Sequence, residues 1–206
     1  AQRANTFSHR MEALQQRHDD GDRGFLKKHL RDCEENIHAL SGAIDENLID
    51  TCVERLHQAD RVLVTGALGS TGVAEYLTYM ASFIADNWSM ASRMGASLAS
   101  GLVGLSDRDV LVVVTKPPFA RNSIRAAQGA FVIVITDTHT CPALIHAQAC
   151  FVVPTASQHF FSSYASTVVL CEVLIGLLAA RAGAPARDRI SDVEDRNRRL
   201  AEVWDG

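Results

Sequence analysis

Five short apolar runs, separated by longer stretches with 3–4 periodicity, dominate the pattern of this chain. The runs cover residues 62–65, 88–91, 110–115, 131–136 and 150–153. Each is near-continuous rather than alternating, as expected of strands buried on both faces. Strands alternating with helices predict an α/β fold with a parallel sheet, three layers thick. Ahead of the first run, residues 25–40 read as a helix, with Phe25, Leu26, Leu30, Cys33, Ile37 and Leu40 on one stripe and Gly42 ending it. Asp45 is placed to cap a second helix that turns Leu48, Ile49, Cys52, Val53 and Leu56 inward. After the last run, residues 160–181 form a long helix stopped by Gly183 and Pro185, and residues 190–204 a short charged amphipathic one. Residues 1–24 are polar and carry a turn at His18-Asp19-Asp20-Gly21-Asp22. The organisation expected is a helical extension over 1–59, a main domain over 60–183 and a helical tail over 184–206. One connection stands out. Only about two helical turns fit between Asn122 and Gly129, where a crossover needs a dozen or more residues. The helix there is unusually short, or residues are missing from the chain.

Charge and cysteine content narrow the class. The 206 residues carry a net charge of -4, and residues 1–60 hold 8 Lys/Arg against 12 Asp/Glu. A DNA-reading helix needs a basic face, so none is expected in this region. No run approaches the roughly 18 apolar residues of a membrane span, and the polar N-terminus shows no signal peptide. Cys33, Cys52, Cys141, Cys150 and Cys171 are scattered, odd in number and form no CxxC. They read as reduced thiols of a cytoplasmic protein without membrane contact.

The candidate chemistry lies just beyond two of the runs. Gly66, Gly69 and Gly72 follow the first run at three-residue spacing, with Ser70 and Thr71 between them, and a helical pattern begins directly after. Such a strand–turn–helix brings backbone N–H groups and a positive dipole end to an anion, most often a phosphate. A nicotinamide dinucleotide is one reading of this turn. It requires an acidic residue roughly 20 residues on for the ribose. Asp86 lies 14 residues after Gly72 and ahead of the next run, which fits poorly. The Tyr-x-x-x-Lys of short-chain dehydrogenases is absent, since Met80, Phe83 and Val168 stand four after Tyr76, Tyr79 and Tyr164. No cofactor is therefore expected. The second loop follows Val114 and reads Thr115-Lys116-Pro117-Pro118-Phe119-Ala120-Arg121-Asn122-Ser123. The hydroxyls of Thr115 and Ser123 with the cations of Lys116 and Arg121 suit an anionic ligand, while the prolines remove N–H donors. Both loops belong at the carboxyl ends of strands, where open parallel sheets bind ligands. His139 and Cys141 lack a second ligand pair, so no metal site is expected. The Phe160-Phe161 pair reads as core or dimer interface.

Taken together, these motifs resemble the SIS (sugar isomerase) domain of the RpiR family of transcriptional regulators, over about residues 25–183. The resemblance is carried by the Gly66–Gly72 turn, by Leu105-Ser106-Asp107-Arg108-Asp109-Val110-Leu111, by Val134-Ile135-Thr136-Asp137 with Cys141-Pro142-Ala143-Leu144, by Phe151-Val152-Val153-Pro154, and by the acidic Glu34-Glu35-Asn36-Ile37 ahead of them. It implies a five-stranded parallel sheet in a flavodoxin-like α/β/α sandwich, a homodimer or tetramer, and a phosphorylated sugar or related small anion as ligand. It also implies that DNA is bound only through an N-terminal helix-turn-helix domain that this chain lacks. The ligand residues expected are Gly66, Gly69, Ser70, Thr71, Thr115, Lys116, Arg121, Ser123 and His159. Many members have Ser-x-Ser-Gly-x-Thr in the second loop; Thr115-Lys116-Pro117-Pro118-Phe119-Ala120 departs from it and resembles a subfamily with an aromatic and proline followed by Ala-Arg. Isomerases of the superfamily place a base, usually Glu, near the loop after the last strand. Here that loop is Thr155-Ala156-Ser157-Gln158-His159, without a carboxylate. A sensing domain rather than an enzyme is expected, with a phosphosugar isomerase as the alternative.

Overall fold

The five apolar runs become five strands: β1 (Val62–Gly66), β2 (Trp88–Met90), β3 (Val110–Val114), β4 (Phe131–Thr136) and β5 (Ala149–Val152). All pair in parallel, in the order β2-β1-β3-β4-β5. Every residue of β1 and β3 is buried, which is why their sequences show no polar alternation. The computed structural model describes residues 6–91, 97–202 and 204. The chain divides into two units, Asp45–Val152 with Cys171–Gly206, and Ala1–Ile44 with Val153–Leu170.

The sheet lies in the first of these. It is covered on both faces, giving three layers. One face carries Leu63, Leu111, Val113, Val132 and Val134 under α5 (Leu98–Leu102), α6 (Arg121–Ala126) and a 3-10 turn at Pro142–His146. The other face is covered by α3 (Glu46–Gln58) and α4 (Thr71–Ser82). The Arg55 guanidinium of α3 lies over the Phe131 ring at 4.8 Å. Tyr76 of α4 donates to Glu172 of α7 (Ala165–Ala182) at 3.0 Å, and Arg181 of α7 pairs with Glu54 of α3. Asp45 caps α3 as expected, accepting from the N–H groups of Asn47 and Leu48. The narrow crossover is made by the six residues of α6, with Ala126 and Ala127 buried and Gly129 at φ +84°.

Helix α4 sits close against β1 because Gly66 has no side chain. A Cβ there would lie 2.5 Å from the Ser70 carbonyl oxygen and 2.8 Å from the Ala74 Cβ. Nothing lies within 4 Å of a Cβ at Gly72. At the amino ends of the same strands, Asp109 is buried and accepts from the Ser106 N–H at 2.8 Å and from Arg61 Nη2 at 3.1 Å. The Arg61 guanidinium holds the Asp109 carboxyl below the usual carboxylate range.

In the other unit, α1 (Phe7–Asp19) is a helix where a polar stretch was expected. It buries no residue, so apolar periodicity is weak; Thr6 caps it by accepting from the His9 N–H. Helix α2 (Phe25–Ala43) runs past Gly42. Residues 160–164 are not helical, because the Ser163 N–H donates to the Thr155 carbonyl and Ser163 Oγ accepts from the Ala165 N–H, starting α7 at Ala165. The tail helix α8 (Ala184–Leu200) starts directly after Gly183 with Pro185 in its first turn, earlier than its charge pattern suggested. Helix α7 corrects the reading on membrane-length segments. Its eighteen residues are long and apolar enough to span one. Its hydroxyls and Glu172 break it as an apolar run. Leu170, Cys171, Leu174, Ile175 and Leu178 are buried, as in a core helix.

Two stability predictions follow from these contacts. Gly66→Ala is expected to cost about 2 kcal/mol in urea denaturation, since backbone must shift, whereas Gly72→Ala is neutral or stabilising by up to about 1 kcal/mol. Asp109→Asn is expected to cost about 2 kcal/mol at pH 7 through its lost charge-assisted hydrogen bonds. A lowered carboxyl pKa contributes stability above the unfolded value and loses it below, so the gap to wild type should close as pH falls under 3.8, read by thermal melts across pH.

Candidate functional site

The sheet order places β1 beside β3 while their outgoing chains depart to opposite faces. Such a switch point leaves a crevice at the carboxyl edge. Gly66 pairs with Val114, so the two loops expected to hold a ligand emerge side by side. The first makes one 3-10 turn, Leu68–Ser70, before α4. Leu68 has φ +55° with its side chain exposed, a left-handed backbone that costs a non-glycine residue about 1–2 kcal/mol. Ser70 is 2% exposed, and its N–H donates to the Ala67 carbonyl. Thr71 Oγ1 turns back to the Gly66 carbonyl at 3.4 Å, while Gly69 is exposed.

In the second loop Thr115 is buried, and its N–H extends the ladder to the Ile135 carbonyl at 3.0 Å. Strand alternation sends Thr115 to the α5/α6 face, with Leu111 and Val113, and Lys116 to the opposite face. Lys116 is only 6% exposed. Burial draws its ammonium down from 10.5 to about 8, against the opposing charge of Asp137 at the end of β4. Cys171 is also near, but burial pushes its thiol up to about 12, so Asp137 is the negative charge that Lys116 senses at neutral pH. A cis peptide joins Pro117 to Pro118. Ser123 is 1% exposed in α6 and its Oγ has no hydrogen-bond partner among the described residues. Thr136 Oγ1 is in the same state. Each such hydroxyl costs about 1–3 kcal/mol. Arg121 is exposed at the start of α6. Residues Thr136, Asp137 and Cys171 were not singled out as ligand residues. Their signal lies in topology, since the first two end a strand at the same edge as Thr115.

His159 belongs to the other unit. There a loop is strapped by α1 and α2: Asn36 Nδ2 donates to the Ala156 carbonyl at 2.8 Å and Asn36 Oδ1 accepts from its N–H at 2.9 Å. Gln158 accepts from Arg17 and donates to Asp32, and Arg10 donates to the carbonyls of His159 and Phe161. His159 Nδ1 accepts from the Phe161 N–H at 3.1 Å, and the ring stacks on Phe160. Nδ1 is thereby occupied, which leaves the proton of the neutral ring on Nε2.

The chain has the fold of a sugar isomerase domain. It aligns with the sugar isomerase domain of an RpiR transcription factor from Sphaerobacter thermophilus at a TM-score of 0.78 and 20% identity, covering 84% of this chain and 99% of that one. The NanR protein of Vibrio vulnificus, in complex with ManNAc-6P, aligns at a TM-score of 0.73 and 18% identity over 88% of this chain and 71% of that one. Phosphoheptose isomerase GmhA from Neisseria gonorrhoeae aligns at 0.56 and 14%, over 76% and 96%. Regulators and isomerases thus both stand among the structural neighbours. No family model and no curated protein sequence matches the chain.

A buried ammonium titrating near 8 burdens the fold at pH 7. Lys116→Met is expected to raise stability there by about 1–3 kcal/mol in the absence of ligand. The unfolded chain binds the proton up to 10.5 and the folded chain only to about 8, so wild type should gain on the variant as pH rises between those values. Melting curves of both proteins at several pH values check this.

Proposed function

We propose that this chain is the ligand-sensing domain of an RpiR-type transcriptional regulator. A phosphorylated sugar or similar small anion binds at the β1/β3 switch point and controls DNA binding by a domain outside this sequence. The observation that carries the reading is the convergence at that edge of the Ser70 turn with the Thr115-Lys116 loop, beside the N-terminal end of α4. Gly66, Gly69 and Thr71 shape the turn; Ser70, Thr115 and Lys116 supply the contacts, with Ser123 and Arg121 from α6. Subunits pair as a homodimer or tetramer in the cytoplasm, and the ligand acts by favouring one arrangement over another. No cofactor or metal takes part.

A phosphosugar isomerase is the second reading, favoured by the isomerases among the structural neighbours. Proton abstraction beside a carbonyl needs a positioned base. The 155–159 loop offers no carboxylate, and His159 Nδ1 already accepts a hydrogen bond.

Thermal-shift titration with ManNAc-6P, ribose 5-phosphate and glucose 6-phosphate tests the reading. At least one is expected to raise the melting temperature by mass action. Ser70→Ala and Thr115→Ala should each weaken that response about tenfold in apparent affinity, in line with the loss of a charge-assisted hydrogen bond. An anion favours the charged amine, so stabilisation should fade as pH rises above about 8. An unchanged shift in both variants places the ligand elsewhere, and aldose–ketose conversion seen by NMR moves the chain to the isomerases.

A further inference from the structure

We propose that Lys116 captures the open-chain carbonyl of its sugar phosphate as a reversible imine, so that the domain holds its ligand covalently. The inference rests on the phosphosugar reading above. Position comes first: Lys116 follows Thr115 directly at the carboxyl edge of β3, beside the Ser70 turn, and is almost wholly buried. Residue choice comes second. Of the 20 Lys and Arg residues in the chain only three are lysine, and the other two, Lys27 and Lys28, are exposed on α2. The chain uses arginine almost everywhere it needs a cation, yet not here. For holding a phosphate by charge alone, a guanidinium would serve better, since it forks two hydrogen bonds and never loses its proton. An amine does what a guanidinium cannot: it becomes a neutral nucleophile. Burial supports this, because a group titrating near 8 is about one-tenth neutral at pH 7, against far below a hundredth for an exposed lysine.

The chemistry needs no further reagent. The lone pair of neutral Lys116 Nζ attacks the carbonyl carbon, the C=O π pair moves to oxygen, and that oxygen takes a proton from water. The nitrogen lone pair of the carbinolamine then expels the hydroxyl as water, with one more proton taken up and one released from nitrogen. The product is a protonated imine and one water. Its positive charge stays where the ammonium was, near the Asp137 carboxylate. Water restores amine and carbonyl by the reverse path.

Borohydride trapping tests the step. The full chain is incubated with ManNAc-6P, ribose 5-phosphate or glucose 6-phosphate, reduced with sodium borohydride, and read by intact mass and peptide mapping. Thermal shift is recorded in parallel, with ribitol 5-phosphate as a carbonyl-free control. A probe that stabilises the protein is expected to leave a mass gain of one sugar phosphate less one oxygen, on Lys116 and not on Lys27 or Lys28. Ribitol 5-phosphate should leave none, and Lys116→Met should abolish the adduct. Peptide mapping of wild type decides the site even if the variant does not fold. A probe that stabilises the protein but leaves no adduct, or an adduct spread over all three lysines, overturns the imine and leaves the phosphosugar reading standing. Stabilisation by none of the probes, with no adduct, overturns both.

Discussion

The five-residue pairing of β1 with β3 is the contact on which the rest of the structure depends. It sets the two strands edge to edge and sends their following helices to opposite faces, because right-handed crossovers to the left and to the right of β1 and β3 demand it. The outgoing chains part at that carboxyl edge, the position where open parallel sheets bind ligands. The close approach of α4 to β1, which only Gly66 permits, sets the first turn of that helix against the carboxyl end of β1. Gly66 thus acts through packing, by leaving room for the Ser70 carbonyl and the Ala74 Cβ.

The two ends of the same strands are managed differently. At the amino ends, Asp109 is paired with Arg61 and bonded to Ser106, so its buried charge is satisfied and favours the fold. At the carboxyl ends, the polar groups run against stability. Lys116 is desolvated, Leu68 holds a left-handed backbone, and the hydroxyls of Ser123 and Thr136 find no hydrogen-bond partner among the described residues. The unfavourable terms gather at one edge of the sheet, while the opposite edge is satisfied, and this asymmetry accords with the proposed site. Lys116 carries the largest share of that burden, since burial disfavours its charged form.

The second unit shows a different logic. Its 154–163 loop has little regular structure, and side chains from α1 and α2 hold it in place. The buried Asn36 amide bonds both backbone groups of Ala156, and Arg10 and Arg17 bond the segment that carries His159. Arginine and amide side chains here do the work that a hydrogen-bonded ladder does in the sheet.

Local chemistry was legible from the sequence alone. Val, Leu and Ile runs specify strands wherever both faces are to be buried, Asp45 specifies a helix start, and glycines at three-residue spacing specify a tight strand-to-helix turn. These features depend on neighbours a few residues away, so order along the chain suffices. Helix α1 escaped for the same reason, since its partners lie some 140 to 150 residues distant and it buries no apolar face. The tertiary structure decided what depends on separate segments meeting. It set the Ser70 turn beside the Thr115 loop, turned Lys116 to the face opposite Thr115, and brought Asp137 near it. A lysine in a loop is read from sequence as a solvated charge; only the packed layers around the sheet remove its water and change its chemistry.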